Sequence, residues 1–355
     1  MPGCRWFAIG AALLALVAPG ARVYTQGRGA QAPARAAQTT WPPKLSAPAP
    51  GEVEVLPVQG NVYMLAGAGG NITVQVADQG VLMVDTGTAA MSDKVIKAVE
   101  SLAKGRPLRY IINTSHRDDY TGGNDKIAPI GEIVPFREPD YTAGPQGAID
   151  THRASVVSTL AVLNRMSAPT GATAARAEGA WPDNTFTTPW KRLYFNDEPI
   201  IITKVPGTTD GNSVVLFRKS DVVSSGDLFD LTSYPMIDVK AGGGISAEVD
   251  ALNKVIEFAV PSNNAEGGTR VIPAHGRISD HADVVYYRDM ITIIRDRIAD
   301  MIKNGMTLAQ VKAARPTRDY DARYGKTTGP WTTDMFVEAA YNTLNSRQPA
   351  AGGRQ

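Results

Sequence analysis

From about residue 53 onward the chain alternates short apolar runs with glycine-rich or polar turns. Residues 53–58, 61–66, 72–77 and 81–85 read as strands closed by turns at Gly60, Gly70 and Gly80. Residues 89–104 carry Val95, Val99 and Leu102 at helical spacing, which predicts an amphipathic helix. A buried strand over 108–113 then runs into a polar loop, 114–124. The pattern next predicts a strand over 133–136 and a long helix over 148–166. A second set of strands follows at 191–195, 200–205, 213–218 and 222–225. Beyond it come a helix at 247–260, a strand at 270–273 and helices at 282–304, 307–314 and 333–345. No fixed-period repeat is present. Each half runs strands first and helices after, so two sheets packed face to face with helices outside them predict an α/β, four-layer αββα sandwich.

The N-terminus departs from this pattern. Arg5 precedes an apolar stretch from Trp6 to Ala18, with small residues at Ala18, Gly20 and Ala21, the layout of a cleavable signal peptide over 1–21. The expected location is therefore the periplasm or the exterior. Residues 22–52, rich in Ala, Pro and Gln, bury too little apolar surface to fold and read as a linker before a domain at 53–348. The single cysteine, Cys4, lies inside the signal, so the mature chain is expected to have no thiol chemistry. A net charge of +1 with 20% charged residues gives no basic surface for nucleic acid and no anionic-membrane signature. A small molecule is the partner class left.

Nearly all polar residues able to do chemistry sit in loops that follow strands, where an α/β scaffold places its site. In order they are Asp85-Thr86-Gly87, then Asn113-Thr114 with Asp119, Gly122, Gly123 and Asn124, then Pro206-Gly207-Thr208-Thr209-Asp210-Gly211-Asn212-Ser213. Ser225-Gly226-Asp227-Leu228-Phe229 and Ile272-Pro273-Ala274-His275-Gly276 complete the set. This succession, from about residue 53 to 304, resembles the metallo-β-lactamase superfamily. Tyr234 to Asp238, with Gly242, Gly243 and Gly244, looks like a secreted bacterial branch of it.

The resemblance implies a metal centre, and this chain departs from it at most ligands. The family loop reads His-x-His-x-Asp-His-x-Gly-Gly. Anchored on Gly122 and Gly123, it places Ser115, Arg117, Asp119 and Tyr120 at the ligand positions, and Thr208 stands where the next histidine belongs. Asp119, Asp227 and His275 remain. A dinuclear site calls for more histidines than the four in the chain, His116, His152, His275 and His281. The resemblance thus leaves one divalent ion at most, zinc first and iron or manganese as alternatives, held by Asp119, Asp227 and His275. The other reading has no metal, with Arg117 neutralising Asp119 or Asp227.

The remaining residues are weighed in the same way. Asp85 is expected to buttress the metal loop and cap the following helix. Tyr120 is either a hydroxyl donor to a developing oxyanion or a packed tyrosine. Ser115, His116 and Thr208 line the cleft, and His152 caps or packs the predicted long helix. Trp181, Trp190 and Tyr234 come from loops that the family uses around its cleft. Asp119, Tyr120 and Arg117 are the residues expected to act on a substrate. The expected function is a divergent hydrolase of an ester, lactone or amide in a small molecule. The alternative is a non-catalytic protein that binds a small anion in the degenerate cleft.

Overall fold

A computed structural model describes residues 48–132, 153–169, 174–261 and 267–346. All of them belong to one compact unit, Ala36–Gln355. The expected signal peptide, most of the linker, the strand at 133–136, the start of the helix at 148–166 and His152 lie outside the described residues.

Two sheets form the centre. The first runs β1 (Glu54–Gln59), β2 (Val62–Ala66), β3 (Ile72–Ala77), β4 (Gly80–Val84), β5 (Leu108–Ile112), β6 (Ser155–Thr159) and β7 (Asn184–Phe186), in that spatial order. Its β1–β4 part is antiparallel, and β4 through β7 are parallel. The second contains β8 (Trp190–Phe195), β9 (Glu198–Lys204), β10 (Ser213–Phe217), β11 (Val222–Ser224) and β12 (Arg270–Ile272), ordered β12-β11-β10-β9-β8. Only β11 and β12 pair in parallel there.

Strand alternation sorts the apolar residues into layers. On β4, Leu82 and Val84 face the second sheet, meeting a core that includes Ile200, Ile202, Val215, Phe217 and Ile272. Val81 and Met83 face the other way, toward Val95 and Val99 of α1 (Ser92–Ala103). The second sheet turns Val214, Val223 and Val271 outward against α5 (Ile245–Phe258) and α6 (His281–Lys303), with α9 (Thr333–Asn345) outside them. This is the αββα sandwich. Each fully buried Leu or Val contributes about 1.5–3 kcal/mol of transfer free energy, so three such interfaces hold the sheets in a fixed relation. Short helices α2 (Asp118–Thr121), α3 (Asn124–Ile127), α4 (Leu160–Met166), α7 (Leu308–Ala314) and α8 (Asp321–Tyr324) fill the ends. No described helix is long and apolar enough to cross a membrane.

Two segments differ from the sequence reading. Among its described residues, the predicted long helix is helical only at α4, because Ser155-Val-Val-Ser-Thr159 forms a parallel strand buried along its whole length. A strand covered on both faces shows no two-residue alternation, so its pattern is indistinguishable from a helix flank. The polar loop 114–124 also coils into α2 and the start of α3, helices too short to leave a periodic signature.

Candidate functional site

The loops that end β4, β5, β9, β11 and β12 meet at one edge of the sandwich. Asp85 sits just beyond β4 in the left-handed region (φ 65°), a conformation aspartate tolerates better than most residues. That turn aims its carboxylate at the loop after β5, where it accepts from Thr114 N at 2.8 Å and Thr114 Oγ1 at 2.6 Å. Asp85 therefore anchors the base of the 114–121 loop. It caps no helix: the next helical turn, Ala89–Met91, starts at Thr88 without a side-chain cap. Burial pushes the Asp85 carboxyl well above its ordinary pKa, against the two Thr114 bonds.

Asp227 is held by four side chains. It follows Gly226, whose φ of +54° and contact with Thr114 leave no room for a side chain. Its Oδ2 accepts from Thr208 Oγ1 at 2.8 Å, Ser115 Oγ at 3.3 Å and Asn212 Nδ2 at 3.5 Å. Arg117 Nε lies 3.4 Å from the same oxygen, and both side chains are largely buried, 12% and 7% exposed. The Arg117 guanidinium also donates to the Met236 carbonyl. It thereby joins the 114–121 loop, the Asp227 turn and the 234–238 segment.

His275 faces the other carboxylates. Its Nδ1 lies 2.9 Å from Asp230 Oδ2, and its Nε2 is 3.9 Å from Asp119 Oδ2. Asp230 also accepts from Thr232 N at 2.6 Å, Thr232 Oγ1 at 2.8 Å and Ser233 Oγ at 3.0 Å. Burial works against its charge, but the bonds from His275 and Thr232 hold Asp230 below the usual carboxylate range. In the same way burial opposes protonation of His275, and Asp230 and Asp119 outweigh it and raise its pKa. Burial and the charge of Asp227 raise Asp119. Asn71 fixes the histidine loop, donating through Nδ2 to the Pro273 and Gly276 carbonyls at 3.0 Å each.

Of the three residues expected to act on a substrate, only Asp119 fronts the cleft, with its side chain 30% exposed beside a 34% exposed His275. Arg117 is occupied in the wall. Tyr120 is 1% exposed and packs beneath Gly70, so it is the packed tyrosine and not a substrate contact. Burial and the charge of Asp227 push its phenol up, keeping it protonated. His116 is brought to the rim; burial and the cations Arg165 and Arg117 lower its pKa to about 4, so it is neutral. Arg176 clasps the same loop through Asp118 and the His116 carbonyl.

The resemblance puts three aromatic residues on loops around the cleft, and each has a structural partner here. Tyr234 is 2% exposed and stacks on Phe336 at 4.7 Å, tied into the helical layer. Trp190 lies on β8, at the sheet edge, with Arg192 over its ring at 4.3 Å. Trp181 anchors its own loop, donating to the Arg176 carbonyl at 3.0 Å.

Sequence reasoning passed over Asp230, Asn71 and Glu248. The signal for Asp230 was its position three residues after Asp227, followed by Thr232 and Ser233, the pattern of an Asx turn that immobilises a carboxylate. Glu248 is fully buried on α5, and neither carboxyl oxygen has a hydrogen-bond partner among the described residues. Burial, then the charge of Asp227, raise its pKa well above the ordinary value. A carboxyl raised in the folded state keeps its proton where the unfolded chain, with a pKa near 4.5, has lost it. The native state then binds more protons than the unfolded state, and stability falls as pH rises above about 4.5. Glu248→Gln should remove that loss. Urea unfolding of parent and variant across pH 5 to 8 should show the variant gaining relative stability with pH, by at most about 1.4 kcal/mol per unit. A difference that stays flat across that range would show that Glu248 keeps an ordinary pKa.

Residues 58–261 match the family model described as the metallo-beta-lactamase superfamily, and the chain belongs to that superfamily. Among solved structures, it is similar to the stereoselective inverting sec-alkylsulfatase Pisa1 from Pseudomonas sp., at 14% identity and a TM-score of 0.56. That match covers 82% of this chain and 50% of the alkylsulfatase, so the chain spans about half the length of that relative. The DIM-1 metallo-β-lactamase matches at 16% identity and a TM-score of 0.50, over 68% of this chain and 97% of the lactamase. At these identities the likeness is one of fold. No curated protein sequence matches the chain.

The superfamily's members usually bind divalent metals such as zinc, and the residues here do not fit one. Ser115 and Thr208 present hydroxyl donors to Asp227 where ligands belong, and Arg117 presents a cation. Among the described residues no three His, Cys, Asp or Glu side chains stand together as a ligand set. His275 and Asp119 face each other as a pair, and Asp227 is turned away into its own donors.

Proposed function

We propose that this protein is a divergent hydrolase that cleaves an ester, lactone or amide bond in a small molecule, with His275 as the base that activates water. The observation that carries this reading is the chain Asp230–His275–Asp119: 2.9 Å on the Nδ1 side and 3.9 Å on the Nε2 side, at a partly open cleft. Asp230 fixes the tautomer, accepting Nδ1–H and leaving the Nε2 lone pair facing outward. The 3.9 Å gap to Asp119 suits a water that gives one hydrogen to Nε2 and the other to the carboxylate. As the water oxygen attacks the carbonyl carbon, Nε2 takes its proton and Asp230 stabilises the imidazolium formed. The imidazolium then gives that proton to the leaving oxygen or nitrogen as its bond to the carbonyl carbon breaks, which frees the acid and returns His275 to its neutral form. Asp119 orients the water, and Asn71 and Asp85 hold the two loops that carry these groups. An anion-binding role without catalysis has less support, since Arg117, the cation for such a ligand, is committed to Asp227 and Met236.

The reading is tested with a panel of nitrophenyl esters, lactones and amides on the purified mature chain. His275→Ala should lower kcat/KM by about 10²–10⁴-fold, the usual worth of a positioned general base. Asp230→Asn should lower kcat with KM unchanged and the melting temperature kept, because Asp230 acts through His275. Turnover that survives in His275→Ala, or its absence from the parent on the whole panel, would refute the proposal.

A further inference from the structure

We infer that Arg117 is the resident cation of this centre, standing in the electrostatic place that a metal ion holds in the superfamily, and that the centre works without a metal. The charge balance around Asp227 is the same whether or not the chain cleaves the bonds proposed above.

Asp227 is an acid only 7% exposed, and a buried carboxylate needs a compensating charge. In a metal centre the ion supplies it. Here it comes from a guanidinium 3.4 Å away, which no ordinary pH can neutralise. The residues at the other lost ligand positions reinforce the substitution. Ser115 and Thr208 are not passive fillers: their hydroxyls lie 3.3 and 2.8 Å from the oxygen beside Arg117, the Thr208 hydroxyl being shared with Asn212 Oδ1 at 2.9 Å. Asn212 adds an N–H at 3.5 Å. Asp227 Oδ2 is thus engaged by one cation and by neutral O–H and N–H groups, not presented to an ion at the roughly 2.0–2.2 Å a metal–oxygen bond requires. A divalent ion placed there would also face the fixed positive charge of Arg117. The second position fares no better, because His275 Nε2 and Asp119 lack a third ligand once Asp227 is committed.

This arrangement is the reverse of ligand decay, in which positions would drift to residues indifferent to Asp227. Of the three replacements around Asp227, Ser115 and Thr208 bring hydroxyls within hydrogen-bond distance and Arg117 forms the ion pair. The same logic explains why Arg117 reaches across to the Met236 carbonyl, which fixes the guanidinium plane against the carboxylate.

The test uses the mature chain, treated with chelator and then titrated with Co²⁺ and with Zn²⁺, followed by cobalt absorption, calorimetry and melting temperature. The parent should give no saturable binding, and its melting temperature should not move with added zinc. Arg117→Gln removes the charge at similar length and should gain cobalt binding, with a zinc-dependent rise of roughly a few degrees that disappears when His275→Ala is added. Arg117→Lys keeps the cation, should fold even if Arg117→Gln does not, and should stay silent toward both metals. Saturable binding by the parent or by Arg117→Lys would overturn the inference. So would a folded Arg117→Gln that remains silent, because the exclusion would then not be Arg117's. Hydrolysis is measured separately: a metal-silent parent that cleaves nothing refutes the proposed reaction and leaves this inference standing.

Discussion

Arg117→Ala should destabilise the protein by about 3 kcal/mol or more, the usual cost of leaving one partner of a buried ion pair alone. Arg117 and Asp227 are both largely shielded from solvent, so water cannot readily replace the lost guanidinium. Three donors remain on Asp227, from Thr208, Ser115 and Asn212, which places the expected loss near the lower end of the range for such pairs. The Met236 carbonyl loses its donor as well, adding about 1 kcal/mol if it stays dry. Because the side chain joins three loops, its removal should also raise amide exchange in 114–121 and 234–238 before the sheets respond. Denaturant unfolding at neutral pH measures the loss. The double variant with Asp227→Asn should recover part of it, since the stranded charge is what makes the single change expensive. A loss below about 1 kcal/mol, within the range of exposed pairs, would mean that the ion pair is not buried in solution.

The layers of the fold were legible because sheet and helix stamp different periods on the chain. β4 is buried on both faces and feeds two different cores, yet Gly80 at its start and Asp85-Thr86-Gly87 after it mark its limits. β6 was not legible, since burial on both faces erases alternation and its partners lie far away in sequence. The site was readable as far as motif order brings Asp119, Asp227 and His275 to one sheet edge, but not as the metal-ligand set expected, since among the described residues no three such side chains stand together. It was less readable where chemistry depends on direction. Arg117 was expected to turn toward Asp119 or Asp227, and only packing against Met236 selects Asp227. Tyr120 and Tyr234 are polar-tipped aromatics whose sequence neighbours cannot say which end meets water, and both proved buried. Glu248 is the clearest case. It lies on the apolar stripe of α5, between Ile245 and Leu252, where a periodicity argument expects a nonpolar residue. An ionisable group on a buried stripe departs from the rule that patterning follows burial, and such departures mark sites worth testing.

Placing histidine at the positions that the superfamily pattern gives to ligands should produce a zinc protein. The variant carries Ser115→His, Arg117→His, Tyr120→His and Thr208→His, which add four imidazoles to Asp119, Asp227 and His275. The steric balance is mixed. Tyr120→His and Arg117→His vacate space, while Ser115 and Thr208 are fully buried and must take larger rings into the volume the arginine leaves. The electrostatic balance is favourable, because the change removes the cation and two of the three neutral donors that hold Asp227, freeing its oxygen for a metal. The supports also remain: Asp85 still fixes Thr114, and Asp230 still orients His275. Zinc uptake should approach two equivalents, and the melting temperature should rise with zinc concentration. Affinity should fall roughly 10–100-fold below that of a natural site, because the new imidazoles lack partners for their second nitrogen. Any esterase or lactonase activity gained should be abolished by chelator, unlike the parent's, which gives an internal control within one pair of proteins. Arg117→His alone should take up far less metal, since Ser115 and Thr208 would still donate to Asp227. A folded fourfold variant that binds no zinc would show that these four residues do not occupy the ligand positions, and the register anchored on Gly122 and Gly123 would have to be abandoned.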